Sequence, residues 1–105
     1  MKKDLYVLIT GNKYYGLCKA VCNLFDSVDN ISYRTASRSN EWNLDRNSEQ
    51  ERLAEYFVKE GFDIFINNSA LWKFHQIMIA EHIYNKCVEK ERSAHIINIG
   101  STADT

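Results

Sequence analysis

The segment Thr10-Gly11-Asn12-Lys13-Tyr14-Tyr15-Gly16-Leu17 joins an apolar run to an amphipathic one. A strand, a glycine turn and a helix start, in that order, form an anion site. Backbone N–H groups there point outward and the helix dipole adds about half a positive charge. Gly11 and Gly16 have the separation of a phosphate-binding GxxxxGK[ST] loop, but Leu17 and Cys18 stand where lysine and a hydroxyl residue are needed. Without those side chains the phosphate and magnesium contacts are missing, so that motif is rejected. A dinucleotide-type turn fits better, with Gly11, Asn12, Gly16 and Leu17 around a pyrophosphate, and Tyr14 and Tyr15 either covering it or blocking the pocket.

Metal and thiol chemistry find less support. Cys18, Cys22 and Cys87 show no CxxC spacing, and His75, His82 and His95 are scattered. A zinc site needs about four converging ligands, so the expectation is no metal and three buried, reduced thiols. Thirteen basic against fourteen acidic side chains give a formal charge of −1. No basic excess points to nucleic acid. The longest apolar runs, such as Tyr6-Val7-Leu8-Ile9, fall far short of the ~20 residues of a membrane span. No hydrophobic leader follows Met1-Lys2-Lys3, so the chain reads as cytoplasmic.

The elements that must position these groups follow from periodicity. At 105 residues the chain has room for one domain, residues 1–105. Residues 4–10 form a short apolar run of strand formers, as in a strand buried on both faces. Leu17, Ala20, Val21, Leu24 and Phe25 then follow helical spacing. Residues 31–36 alternate like a strand, and residues 37–46 read as loop with at most a rudimentary strand. Ser48 and Glu51 have the spacing of a capping box for a second helix, with Leu53, Ala54, Phe57 and Val58 inward and Gly61 at its end. Residues 63–67 form another buried strand.

The longest helical segment covers residues 72–92. Its expected core stripe is Ile77, Ala80, Tyr84, Cys87 and Val88, widened by Ile79 and Ile83. Residues 95–99 make the last strand. Strands alternating with helices predict a parallel α/β sheet with helices on both faces.

At the glycine turn the chain resembles the short-chain dehydrogenase/reductase family, whose first turn reads TGxxxGxG. Thr10-Gly11 matches, Gly16 comes one residue late, and Cys18 takes the place of the last glycine. Asp63-Ile64-Phe65-Ile66-Asn67-Asn68-Ser69-Ala70 is similar to the family's D-I-L-V-N-N-A-G, and Ile96-Ile97-Asn98-Ile99-Gly100-Ser101 to its I-V-N-I-S-S. Trp42-Asn43-Leu44-Asp45 falls where the family places an acidic and an aliphatic residue beside the adenine ring.

The resemblance implies a three-layer, truncated Rossmann-like fold, a doubly wound parallel sheet of strand order 3-2-1-4-5. It implies cofactor contacts from Asn43, Leu44, Asn68, Ser69 and Ala70, and makes Ser101 the serine that polarises the substrate carbonyl. The family's Tyr-x-x-x-Lys is absent from the 105 residues, so efficient hydride transfer is not expected of them alone.

The second strand ends Thr35-Ala36-Ser37-Arg38 with no carboxylate, which would favour the 2′-phosphate of NADP over NAD, held by Ser37 and Arg38. Asn67-Asn68 reads as a structural bridge between strands, with or without a nucleotide, more than as a ligand contact. The wide apolar stripe of residues 72–92 and an open edge at residues 95–99 predict a two-fold dimer. Two functions remain open: an NADP-binding domain of short-chain dehydrogenase type, and a non-catalytic oligomerisation module with a decayed pocket.

Overall fold

The computed structural model describes residues 5–11, 16–37, 41–44, 46–68 and 73–98. The elements run β1 (Leu5–Thr10), α1 (Gly16–Asp26), β2 (Ile31–Ala36), α2 (Asn47–Glu60), β3 (Ile64–Asn67), α3 (Lys73–Glu89) and β4 (His95–Asn98). The four strands form one parallel sheet in the order β2-β1-β3-β4. Val7 lies beside both Tyr33 and Ile64, and Ile66 beside Ile97, so the strands share one register.

Each crossover runs through a helix. α1 covers one face, where Val7, Ile9 and Ile66 pack with Cys18 and Cys22. α2 and α3 cover the other, where Leu8, Ala36 and Phe65 meet Leu53, Ala54, Phe57, Ile79, Ile83 and Cys87. This division follows from handedness. A right-handed crossover from β1 to β2 puts its helix on one face, and crossovers in the reverse direction, β2 to β3 and β3 to β4, put theirs on the other.

The five-stranded order 3-2-1-4-5 is not found. Residues 41–44, expected to hold the rudimentary extra strand, are bound instead to α2. The Arg52 guanidinium lies 3.9 Å from the centre of the Trp42 ring and donates to the Glu41 carbonyl, while Gln50 Nε2 donates to the Leu44 carbonyl at 2.9 Å. Trp42 also packs against Tyr56, its ring 5.4 Å away. With two of its carbonyls and the Trp42 ring held by α2, and Glu41 at φ +72°, this segment does not run as an extended edge strand.

Both outer helices present faces different from those expected. In α3 the sheet-facing residues are Ile79, Ile83 and Cys87, whereas Ile77, Tyr84 and Val88 are 57–61% exposed. In α1 Cys18 and Cys22 are buried and Leu24 is 61% exposed. α2 starts at Asn47 with Arg46 at its N-cap and no side-chain cap bond, so the Ser48–Glu51 capping box does not open it. The Arg46 carbonyl accepts from the amides of Glu49 and Gln50, which winds the first turn ahead of Ser48.

α2 ends as its sequence requires. Gly61 takes a left-handed conformation at φ +78°, and the Phe62 amide turns back to the Phe57 carbonyl at 3.1 Å. Phe62 thereby enters an aromatic cluster, stacked on Tyr6 at 4.0 Å and beside Phe57 at 5.7 Å. Arg92 closes the same corner by donating to the Val58 and Phe62 carbonyls. Among the described residues no helix is long and apolar enough to cross a membrane.

Candidate functional site

In an open parallel sheet a crevice forms beyond the carboxyl ends of two neighbouring strands whose outgoing connections leave in opposite directions. Here those strands are β1 and β3, since α1 leaves for one face and α3 for the other. Their ends carry Thr10-Gly11 and Asn67-Asn68, which are neighbours across the sheet. The sequence therefore brings its glycine turn and its Asn-Asn pair to one place.

A short hydrogen-bond relay ties the two ends together. The Asn68 amide donates to Thr10 Oγ1 at 2.8 Å, and the Thr10 hydroxyl donates to Asn67 Oδ1 at 3.3 Å. Thr10 and Asn67 are fully buried. On the other side the Gly11 amide donates to the Ala36 carbonyl at 2.9 Å, linking the end of β1 to that of β2. Three strand ends are thus held in one row.

Gly11 is required there for two reasons. Its φ of +128° lies where side chains are rarely accommodated, and a Cβ would come within 3.1 Å of the Asn68 carbonyl oxygen. Cys18 fills the space beneath it, with Cβ and Sγ 3.4 and 3.5 Å from that Cβ position. The cysteine belongs to the packing between α1 and the sheet. Burial first, and then the neighbouring Cys22 thiol, push the Cys18 pKa up to about 12, so it stays protonated and unreactive at neutral pH.

Of the other expected site residues, Gly16 opens α1, whose first turn holds no acidic residue to oppose an anion. Leu17 follows within the same turn. Ser37 lies just past β2, and its carbonyl accepts from the Trp42 amide at 2.9 Å. Leu44 is buried in the core under α2, not turned to an opening. Asn43 is half-buried, and its Oδ1 is buried without a hydrogen-bond partner. Asn12, Tyr14, Tyr15, Arg38, Ser69, Ala70 and Ser101 lie outside the described residues.

Two polar residues at or near this end were not singled out from the sequence. In the sequence Thr10 stands only as part of the glycine motif, yet its hydroxyl is the centre of the relay. The signal was a polar β-branched residue closing an apolar run directly before a glycine. Gln50 is fully buried, donates to Leu44 and leaves its own Oε1 without a partner. It occupies the inward position of the series 50, 53, 54, 57, where a polar residue signals a bonded core group.

A separate shallow cleft of about 510 Å³ sits at the opposite end of the sheet, lined by Tyr6, Ser32, Arg34, Glu60 and Asp63. It is remote from the helix start at Gly16. Among the described residues no group of three or more His, Cys, Asp or Glu side chains could hold a metal ion. Scanned against protein-family models the chain matches none, and a search of the curated proteins returns no match.

Proposed function

We propose that the chain is a nucleotide-binding domain of short-chain dehydrogenase type that takes NADP at the carboxyl ends of β1 and β3. The observation that carries this reading is the joining of Thr10-Gly11 to Asn67-Asn68 at the point where the crossovers diverge, with α1 starting five residues after Gly11. Amides at the start of α1 would face the pyrophosphate, as the helix dipole favours.

The resemblance places Asn43, in the segment that follows β2, beside the adenine ring, although its Oδ1 is buried and closed to a ligand as the side chain stands. Ser37 and Arg38, which follow the end of β2, would take the 2′-phosphate. NADP brings a hydride carrier; the residues of this chain bind and orient it. With no Tyr-x-x-x-Lys among the 105 residues, proton exchange with a substrate carbonyl is not assigned to them.

Calorimetric titration with NADP and NAD tests the reading. NADP should bind more tightly than NAD, and Arg38→Glu should reverse the order. A nucleotide that binds only the folded chain, at 100 times its dissociation constant, adds about 2.7 kcal/mol to stability, visible as a thermal shift. Absence of both heat and shift with either nucleotide overturns the proposal. The second reading, an oligomerisation module, draws on the exposed apolar residues of α3 and β4.

A further inference from the structure

Among the described residues the sheet has two open edges, β2 and β4, and they are finished differently. The Leu5 amide bonds the Asn30 carbonyl and the Gly11 amide that of Ala36. That alternation turns the backbone groups of Ile31, Tyr33 and Thr35 outward from β2. One of them is already covered, because Arg34 Nη1 donates to the Tyr33 carbonyl at 3.1 Å. A charged side chain folded over an edge is a standard guard against pairing.

On β4 the His95 amide bonds the Asp63 carbonyl, so His95 and Ile97 face β3 and the N–H and C=O of Ile96 face outward. Among the described residues no side chain covers them. On the α1 side of this edge Ile97 is 47% exposed, with the exposed His95 beside it on the same face. On the other side runs α3, where Ile79, Ile83 and Cys87 face the sheet. His82 and Lys86 face α2, through Asn47 at 2.9 Å and Glu55 at 3.9 Å. The remaining flank of α3, turned away from α2, carries Ile77, Tyr84 and Val88 in one line at helical spacing.

We infer that β4 pairs antiparallel with β4 of a second copy about a two-fold axis normal to the sheet. The result is one eight-stranded sheet with the two α3 helices side by side. A partner for this edge must offer a free strand with an apolar group to meet Ile97 on one face and an apolar stripe to meet that of α3 on the other, and the chain's own β4 has that form. The two-fold keeps each face with its like, so the Ile77, Tyr84 and Val88 stripe meets its own copy. The two α3 helices then run antiparallel, which their dipoles favour. A net charge of −1 offers little repulsion. The guard on β2 disfavours head-to-tail pairing of β4 with β2, so the assembly closes at two.

The inference is independent of nucleotide binding and is tested without nucleotide. Sedimentation of the full chain at micromolar concentration should show a dimer. Ile97→Lys on the β4 flank and Val88→Lys on the exposed side of α3 should each weaken it at least tenfold with circular dichroism unchanged. Arg34→Ala on β2 should leave the dimer constant unchanged. Hydrogen exchange should show the Ile96 amide protected in the dimer and fast in Val88→Lys. A monomer at 100 times that concentration, an open-ended series of oligomers, or a dimer indifferent to both lysine variants overturns the proposal. So does an unprotected Ile96 amide in the dimer.

Discussion

Replacing Thr10 by valine keeps the shape of the side chain and removes one oxygen. That oxygen is fully buried, accepts from the Asn68 amide at 2.8 Å and donates to Asn67 Oδ1 at 3.3 Å. Leaving a buried polar group without its partner costs about 1–3 kcal/mol. The Asn68 amide is only half-buried, so water meets part of its loss, and the 3.3 Å bond to Asn67 is a long one. Both contributions therefore fall near the low end, and together they come to about 2 kcal/mol. Thr10→Ser keeps the hydroxyl and loses only a methyl group, about 0.8 kcal/mol. Urea unfolding followed by circular dichroism measures both, as a shift in midpoint at constant slope. Valine should cost more than serine, and Asn68 amide exchange should accelerate in the valine variant alone. A valine variant within about 0.5 kcal/mol of the parent would refute the claim that the relay holds the strand ends together.

Glu91 ends α3 at φ +53°, with the Arg92 amide turned back to the Cys87 carbonyl at 3.0 Å, so Glu91→Gly should relieve strain and raise stability by about 0.5–1 kcal/mol in urea. Gly61→Ala meets no steric neighbour but must hold φ +78°, and should lower stability by about 1 kcal/mol in the same assay. Arg92→Met keeps a long apolar stem yet removes the donors to the Val58 and Phe62 carbonyls; a loss of about 1–2 kcal/mol is expected, and none would refute the role. Cys18 has an ordinary pKa of 9.0, pushed up to about 12 in the fold. Its stabilisation is complete below pH 9 and drains away between pH 9 and 12, as the unfolded chain releases a proton that the folded chain keeps. Unfolding midpoints of Cys18→Ala should fall less steeply over that range than those of the parent, and parallel curves would dismiss the effect.

The legibility of the fold varied with how one-sided each pattern is. β1 could be read from Leu5–Thr10 because β-branched and large apolar residues crowd a strand covered on both faces. The end of α2 could be read from Gly61, since a left-handed residue before Phe62 calls for glycine. α3 could be recognised but not oriented. Apolar residues at 77, 79, 83, 84, 87 and 88 satisfy two overlapping stripes, and periodicity gives no reason to choose between them. Only the position of α2, which takes His82 and Lys86, decides that Ile79 and Ile83 face the sheet. The absent fifth strand has the same origin. Trp42 and Leu44 are as apolar as strand residues, but their partners, Arg52, Tyr56 and Gln50, lie six to fourteen residues onward on a helix.

For the candidate site, the sequence placed a glycine turn after one strand and an Asn-Asn pair after another, because both motifs are local. It could not place them against each other. Sequence alone determined the strand and helix content, the need for glycine at a turn, and the type of groups carried at each strand end, since these depend on residues within a few positions of one another. The tertiary structure decided which strands are neighbours, that Thr10 bonds residues 57 and 58 positions away, and which helix faces stay uncovered. Those depend on chain segments meeting through crossovers, where packing against a third element settles a choice that local pattern leaves equal.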